Sequence, residues 1–102
     1  MAAQGDPSKW YVYMVRCADA TLYTGVATDV RRRIEEHNGN DILAARYTRG
    51  RRPVALVYQE SCPDRAAACR REAEIKRMGR SGKLELMARR ETGADATDEI
   101  LS

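Results

Sequence analysis

Tyrosine, arginine and histidine are concentrated in one short stretch near the beginning of the chain. Tyr13 and Tyr23 lie ten residues apart, and Arg33 and His37 follow with a spacing of four. The whole chain has five tyrosines and one histidine, so this concentration is not a consequence of abundance. A phenol and an imidazole can exchange a proton, and a guanidinium can neutralise phosphate oxygens. These groups are the ones that cleavage of a phosphodiester bond requires.

Two strands are predicted to carry the tyrosines. Trp10–Arg16 and Leu22–Val26 are rich in aromatic and β-branched residues and are separated by a short polar turn, which predicts a β-hairpin. A hairpin centred near Ala18 would place Tyr13 and Tyr23 directly opposite each other, with both side chains on one face.

A helix that follows the hairpin is predicted to carry the arginine and the histidine. Thr28 or Asp29 can cap its beginning, and it should run to about Asn38, where a glycine ends it. Arg33 and His37 are four residues apart, so their side chains lie on the same side of the helix. The stripe predicted to face the sheet comprises Val30, Ile34 and His37.

The rest of the chain predicts one more strand and two more helices. Gly39–Pro53 is a long basic loop, and Val54–Glu60 is an apolar strand. A second helix should begin with Pro63 in its first turn and run to about Met78. Ser81 is expected to cap a short last helix that ends at Arg90. The order of elements is β-β-α-β-α-α, which predicts an α+β domain.

Glu72 interrupts the stripe of the second helix that should pack on the sheet. The stripe consists of Ala68, Glu72, Ile75 and Gly79, at spacings of four, three and four. Carboxylates are rarely buried unless they are paired or hold a metal ion. From the stripe alone, two interpretations stay open: a metal ligand, or an ion pair with an arginine.

The charge distribution favours a nucleic-acid partner. Residues 31–90 carry 16 Lys or Arg against 8 Asp or Glu, although the whole chain has a net charge of only +3. Of the 18 cationic residues, 15 are arginine, whose planar guanidinium matches phosphate oxygens in pairs. An arginine-rich codon usage is the alternative explanation. At 102 residues, the chain is long enough for one domain with one core.

Composition also excludes several classes of protein. The cysteines are odd in number and have no metal-binding spacing, so we expect reduced thiols and no zinc site. No signal sequence and no apolar run of membrane-spanning length is present. We therefore expect a cytoplasmic monomer that associates with the nucleoid when bound to DNA. Residues 1–9 should be a flexible lead-in, 10–90 the domain, and 91–102 an acidic mobile tail.

An ordered series of motifs resembles the GIY-YIG endonuclease family, in particular its small single-domain bacterial members and Slx-type nuclease domains. The series runs from Trp10 to about Met87. It comprises Leu22–Val30, then Arg33 and His37, then Tyr47-Thr48-Arg49, Pro53–Tyr58 and Arg71–Lys76. The resemblance implies a three-stranded antiparallel sheet flanked by helices, and an endonuclease that uses one Mg²⁺ or Mn²⁺ ion.

The resemblance also implies a set of site residues. It assigns catalytic roles to Tyr13, Tyr23, Arg33, His37 and Glu72, with Glu72 as the metal ligand. Three positions depart from the family pattern: Tyr11 replaces a glycine and Thr24 an isoleucine, and Ser81-Gly82-Lys83-Leu84 lacks the asparagine of some members. The residues expected to contact nucleic acid are Arg31, Arg32, Arg46, Tyr47, Arg49, Arg51, Arg52 and Lys76.

Three functions are compatible with these features. The first is a metal-dependent endonuclease that favours single-stranded or branched DNA. The second is a non-catalytic nucleic-acid-binding module with the same fold, and the third is a domain whose arginines bind an acidic protein. A binding module needs the arginines but has no use for a buried glutamate, and this favours the endonuclease.

Overall fold

A computed structural model describes residues 9–94 of the chain. The predicted lead-in lies almost entirely outside the described residues, and so does most of the predicted acidic tail. The elements, in chain order, are β1 (Trp10–Arg16), β2 (Leu22–Ala27), α1 (Val30–Gly39), α2 (Arg46–Arg49), β3 (Ala55–Cys62), α3 (Arg65–Arg77) and α4 (Arg80–Ala94). The predicted order is confirmed, with the one-turn helix α2 added inside the basic loop.

The three strands form one antiparallel sheet in the order β2-β1-β3. Tyr13 pairs with Gly25, and Tyr23 pairs with Val15. The predicted register was therefore wrong by two residues, because the hairpin is centred on Asp19. Asp19 accepts hydrogen bonds from the backbone and hydroxyl groups of Thr21, at 3.1 and 2.6 Å. Because side chains alternate between the faces, a register shift of two residues keeps the two tyrosines on one face of the sheet.

Each face of the sheet carries its own apolar cluster, as the alternation of β1 predicts. On one face, Val12 and Met14 pack with Ile75 of α3 and with Leu86 and Met87 of α4. The cluster on the opposite face comprises Tyr13, Val15, Cys17, Val30 and Val54, with Tyr23 and Ile34 packed against it. The face that carries Tyr13 is the one that α1 covers.

The helix boundaries depend on side-chain caps. Asp29 accepts a hydrogen bond from the backbone N–H of Arg32 at 3.1 Å, which confirms one of the two predicted caps of α1. For α3 the predicted start was wrong by two residues, because Asp64 is the cap and Pro63 lies before the helix. Helix α4 begins at Arg80 and is longer than predicted. Within residues 9–94, no helix has the length and apolar character needed to cross a membrane.

The loop between α1 and β3 is attached to both elements. The Asn38 amide donates to the carbonyl oxygen of Val54 at 3.0 Å and accepts from the N–H of Val54 at 2.7 Å. Arg52 donates to the backbone oxygen of His37 at 2.6 Å. These bonds join the end of α1 to the start of β3, so the loop returns across the end of α1.

Candidate active site

Tyr13 is the buried centre of the site, and Gly25 makes room for its ring. The side chain of Tyr13 is 1% exposed. A Cβ atom placed on Gly25 would lie 2.6 Å from the Tyr13 hydroxyl oxygen and 2.8 Å from its Cζ. Neither distance is compatible with the present position of the ring. Glycine is therefore required opposite Tyr13, because the phenol crosses directly over the β2 backbone.

His37 links the Tyr13 phenol to the loop. The Tyr13 hydroxyl oxygen lies 2.8 Å from Nε2 of His37, and the hydroxyl of Thr48 lies 3.0 Å from Nδ1. His37 and Thr48 are both fully buried. The Thr48 hydroxyl also lies 3.0 Å from the carbonyl oxygen of Ala45, to which it can donate. A continuous chain of hydrogen bonds thus runs from β1 through α1 to α2.

Two arrangements of protons are compatible with this chain. In the first, Tyr13 donates to Nε2 of His37, and Nδ1–H donates to Thr48. In the second, Nδ1 accepts from the N–H of Ala45, which lies 3.4 Å away, Thr48 donates to the Ala45 carbonyl oxygen, and Nε2–H donates to Tyr13. The first arrangement makes His37 the acceptor of the Tyr13 proton.

Burial keeps both members of the pair uncharged. Removal from solvent is the largest cause that lowers the pKa of His37, and nearby Arg33 lowers it further, to about 4. Burial likewise raises the pKa of Tyr13 above its ordinary value, and the neighbouring Tyr23 adds to this effect. The hydrogen-bonding guanidinium of Arg33 opposes it. At neutral pH the free protein therefore holds a neutral phenol against a neutral imidazole.

Arg33 lies beside Tyr13 with its guanidinium held from two sides. It donates to the Glu36 carboxylate at 2.8 Å and to the backbone oxygen of Leu43 at 2.7 Å. Burial is the largest single influence and lowers the pKa of Arg33, but the hydrogen bond to Glu36 and the neighbouring Tyr13 and Glu36 together outweigh it, so the net pKa is raised. A permanent positive charge next to the phenol is thereby fixed in position.

Aromatic rings and cations form a column that leads from His37 to the surface. The ring of Tyr23 meets His37 edge-on, with centroids 5.5 Å apart, and stacks on Tyr47 at 5.6 Å. The guanidinium of Arg51 covers the Tyr47 ring at 4.0 Å, and the ammonium of Lys76 lies 5.9 Å from the Tyr23 centroid. Tyr23 is therefore placed between the buried pair and the solvent-exposed edge of the site.

Glu72 reaches the margin of the site from α3. Its side chain is 23% exposed, and its carboxylate lies 3.1 Å from the Lys76 ammonium. The prediction of a fully buried position was wrong, because Ala68 and Ile75 make the apolar contact and Glu72 lies at the edge of the stripe. The ion-pair partner is a lysine rather than an arginine. Glu72 is still close enough to Tyr13 for its charge to raise the Tyr13 pKa.

Glu72 is the residue predicted to hold a metal ion at this site. Within the described part of the chain, no group of three or more His, Cys, Asp or Glu side chains could hold one. Mg²⁺ commonly binds through one or two carboxylates, keeps several waters and takes further ligands from substrate phosphates. Glu72 fits such an ion because its carboxylate is partly exposed and its lysine partner is itself half-exposed.

The predicted nucleic-acid-binding residues fall into two groups. Those exposed at the surface are Arg31, Arg32, Arg46, Tyr47, Arg49 and Lys76. The other two are half-buried: Arg51 pairs with Asp19 at 3.1 Å, and Arg52 pairs with Asp41 at 2.8 Å. Three of the exposed cations also have partners, because Arg32 pairs with Glu36, Lys76 pairs with Glu72, and Arg49 donates to the Asp41 carbonyl oxygen.

Thr48 is the site residue whose role the sequence did not indicate. It belongs to the motif Tyr47-Thr48-Arg49, inside the predicted basic loop. The signal for it is an uncharged β-branched residue between an exposed tyrosine and an exposed arginine. In the structure that residue turns inward from α2 and orients His37 through Nδ1.

The chain belongs to the GIY-YIG family, because residues 9–85 match the family described as the GIY-YIG catalytic domain. This domain is a nuclease domain. A UPF0213 protein of Desulfotalea psychrophila is 50% identical over 91 residues, covering 89% of this chain and 82% of the relative. A UPF0213 protein of Natronomonas pharaonis is 51% identical over 78 residues, 76% of this chain and 89% of the relative.

A solved structure agrees with these sequence comparisons. The solution NMR structure of a UPF0213 protein from Bacillus halodurans superposes with a TM-score of 0.51 and 41% sequence identity. It covers 78% of this chain and 83% of that chain. The fold class predicted from the order of elements is thereby supported by an experimentally determined relative.

Proposed function

We propose that this protein is a divalent-metal-dependent endonuclease that hydrolyses phosphodiester bonds in DNA, with single-stranded or branched DNA favoured. The observation that carries the proposal is the buried hydrogen bond of 2.8 Å between Tyr13 and His37, next to the guanidinium of Arg33. A module that only binds nucleic acid would need exposed cations, and it would gain nothing from a buried phenol–imidazole pair.

The pair solves a problem of proton transfer. A phenol with a raised pKa does not ionise at neutral pH, so a free phenolate cannot serve as the base. A relay avoids this intermediate: the hydroxyl oxygen of Tyr13 takes a proton from the attacking water while its own proton passes to Nε2 of His37. In the first of the two proton arrangements, Thr48 would stabilise the receiving imidazole by accepting from Nδ1–H.

Substrate binding would make His37 a better acceptor. In the free protein its pKa is lowered to about 4, by burial and then by Arg33. A phosphodiester bound at Arg33 brings a negative charge into the same neighbourhood, and a nearby negative charge raises the pKa of an imidazole. The relay is therefore more favourable in the complex than in the free protein.

Arg33 and Tyr23 would hold the phosphate in position. Arg33 can exchange its bonds to Glu36 and Leu43 for bonds to non-bridging oxygens, which neutralises charge that develops during attack. The same movement would open a path for water to the Tyr13 hydroxyl. Tyr23 lies over His37 and can orient the water or the phosphate with its own hydroxyl.

Glu72 is the residue that would hold the metal ion. A bound Mg²⁺ or Mn²⁺ supplies charge stabilisation for the leaving 3′ oxygen. Lys76 now pairs with the Glu72 carboxylate, and its flexible side chain can release that carboxylate and remain near the phosphate.

The substrate class follows from charge. The exposed arginines of α1 and α2 in the matched domain, residues 9–85, are Arg31, Arg32, Arg46 and Arg49. The exposed arginines can contact backbone phosphates, which carry no sequence information. Shape is then the property that the protein can recognise, and branched or single-stranded DNA differs in shape from a duplex.

A panel of labelled substrates tests the proposal. Single-stranded, duplex, flap and four-way DNAs are incubated with the protein in Mg²⁺, in Mn²⁺ and in EDTA. We expect cleavage only with a divalent ion, and faster cleavage of the single-stranded or branched substrates. Binding without cleavage of any substrate would instead support a non-catalytic nucleic-acid-binding module.

A further inference from the structure

The most exposed large apolar side chain among the described residues lies beside the candidate active site. Ile42 is 91% exposed, and its neighbour Leu43 is 52% exposed. Both belong to the segment between α1 and α2. Single exposed apolar residues are common on protein surfaces, so exposure alone does not indicate a function. The way in which this segment is held is the informative feature.

Hydrogen bonds fix the backbone on both sides of Ile42. The Asn40 side-chain oxygen accepts from the N–H of Ile42 and from the N–H of Leu43, each at 2.9 Å. The N–H of Ala44 donates to the Asn40 carbonyl oxygen at 2.9 Å. The Ile42 side chain is therefore presented to solvent by an ordered turn rather than by a freely moving loop.

Three arginines surround the base of this turn. Arg33 donates to the Leu43 carbonyl at 2.7 Å, and Arg49 donates to the Asp41 carbonyl at 3.1 Å. Arg52 pairs with the Asp41 carboxylate at 2.8 Å. A guanidinium has five N–H donors, so Arg33 and Arg49 keep donors for phosphate oxygens, whereas Nη2 of Arg52 is buried and Arg52 serves to hold the turn. An apolar tip within a ring of guanidinium groups is complementary to nucleic acid, whose bases are apolar on their faces and whose backbone is anionic.

The turn is also connected to the catalytic side chains. Arg33, which donates to Leu43, is also close enough to Tyr13 for its charge to lower the Tyr13 pKa. The N–H of Ala45, two residues after Leu43, points to Nδ1 of His37. A base step that received the apolar tip would lie next to the phosphate held by Arg33.

We propose that Ile42, supported by Leu43, is a wedge that inserts between bases at a discontinuity in the DNA helix and so selects branched or nicked substrates. This inference rests on the proposed function and specifies its substrate class. Apolar side chains inserted into a base step unstack it, and the energy required is smallest where the stacking is already interrupted. The wedge therefore favours a nick, a flap or a junction over a continuous duplex.

Binding measured in EDTA tests the wedge without any cleavage. The probes are a duplex with a central 2-aminopurine, and the same duplex with a nick or a single-stranded branch next to the 2-aminopurine. We expect wild type to raise the fluorescence of the branched probe, because insertion unstacks the fluorescent base. Ile42→Ser should abolish this increase and weaken binding to the branched probe by about tenfold.

Three controls make the result specific. Ile42→Met should restore insertion, because methionine is also apolar and long. Leu84→Ser, which replaces an exposed leucine on α4, should leave binding within about twofold of wild type. Binding of Ile42→Ser to single-stranded DNA and to the continuous duplex should also stay within about twofold of wild type.

The outcomes separate the wedge from the proposed function. Equal affinities of wild type and Ile42→Ser for the branched probe would overturn the wedge, even if the protein cleaves DNA. Insertion without cleavage in Mg²⁺ or Mn²⁺ would support the wedge and contradict the endonuclease. Failure of wild type to bind any of the DNAs would overturn both.

Discussion

The single histidine of the chain gives the protein a pH-dependent stability that can be calculated from the structure. Burial, reinforced by Arg33, lowers the pKa of His37 to about 4 in the folded protein. In the unfolded chain a histidine has a pKa of about 6.5. Between these values the unfolded chain binds a proton that the folded protein does not. Stability is therefore complete above about pH 6.5 and is lost as the pH falls towards 4.

The expected loss is large enough to measure. At about 1.4 kcal/mol per pKa unit, the full titration reduces the free energy of unfolding by about 3 kcal/mol, of which about 2 kcal/mol is lost between pH 7.5 and pH 5. The carboxylates with lowered pKa, Asp19 and Glu36, contribute little in this range. Their stabilisation is lost only as the pH approaches the ordinary carboxylate pKa of about 4 and below.

Urea unfolding followed by circular dichroism at the two pH values provides the measurement. Wild type should lose about 2 kcal/mol, whereas His37→Gln, which cannot titrate there, should change by less than about 0.5 kcal/mol. If His37→Gln is too unstable to analyse, Tyr13→Phe serves as a second comparison. It keeps His37, and its change in unfolding free energy between the two pH values is compared with that of wild type. A wild type whose stability is the same at both values would refute the inference that His37 is buried in its neutral form.

Three further predictions concern the site. Gly25→Ala should displace the Tyr13 ring and reduce the cleavage rate by roughly 10²-fold while the protein stays folded. Gly39→Ala should leave the cleavage rate unchanged, because no atoms lie within 4 Å of the added Cβ. Comparable single-turnover rates for both variants would contradict the steric argument. Tyr13→Phe and His37→Ala should each slow cleavage by roughly 10²-fold. Because the two residues act as one relay, the double variant should be little slower than the slower single variant. A near-normal cleavage rate in His37→Ala, together with an inactive Tyr23→Phe, would instead make Tyr23 the base. Replacing both arginines of α2 by glutamine should weaken binding to all DNA sequences similarly. It should also reduce the slope of log affinity against log salt concentration by about two. Binding that is insensitive to salt would disprove a phosphate-contacting role for α2.

The elements of the fold could be predicted because they depend on local patterns. Alternation in β1 assigned its side chains to the correct faces, and Asp29 was one of the two caps considered for α1. The register of the hairpin depends on the turn, where Asp19 binds Thr21 and Ala20 adopts a positive φ of 71°. Alanine rarely adopts this conformation, so the sequence did not reveal where the hairpin turns.

The site was less predictable because its geometry depends on contacts distant in sequence. The pairing of Tyr13 with His37 joins residues 24 positions apart, and no local pattern in the sequence determines it. Thr48 could not be recognised, because α2 is one turn long and has no periodic pattern. The exposure of Glu72 depends on where α3 crosses the sheet, and helical spacing alone does not determine that.

Metal-dependent cleavage by the wild type and by Glu72→Gln tests the central claim most directly. The assay is single-turnover cleavage of a labelled branched DNA in Mg²⁺, in Mn²⁺ and in EDTA, with DNA binding measured in parallel. Glu74→Gln is the matched control. The Glu74 carboxylate lies on the same helix but pairs with Arg71, away from the site. We predict cleavage by wild type and Glu74→Gln only with a divalent ion, and none by Glu72→Gln, with binding preserved in all three. Cleavage in EDTA, or wild-type rates in Glu72→Gln, would contradict the account.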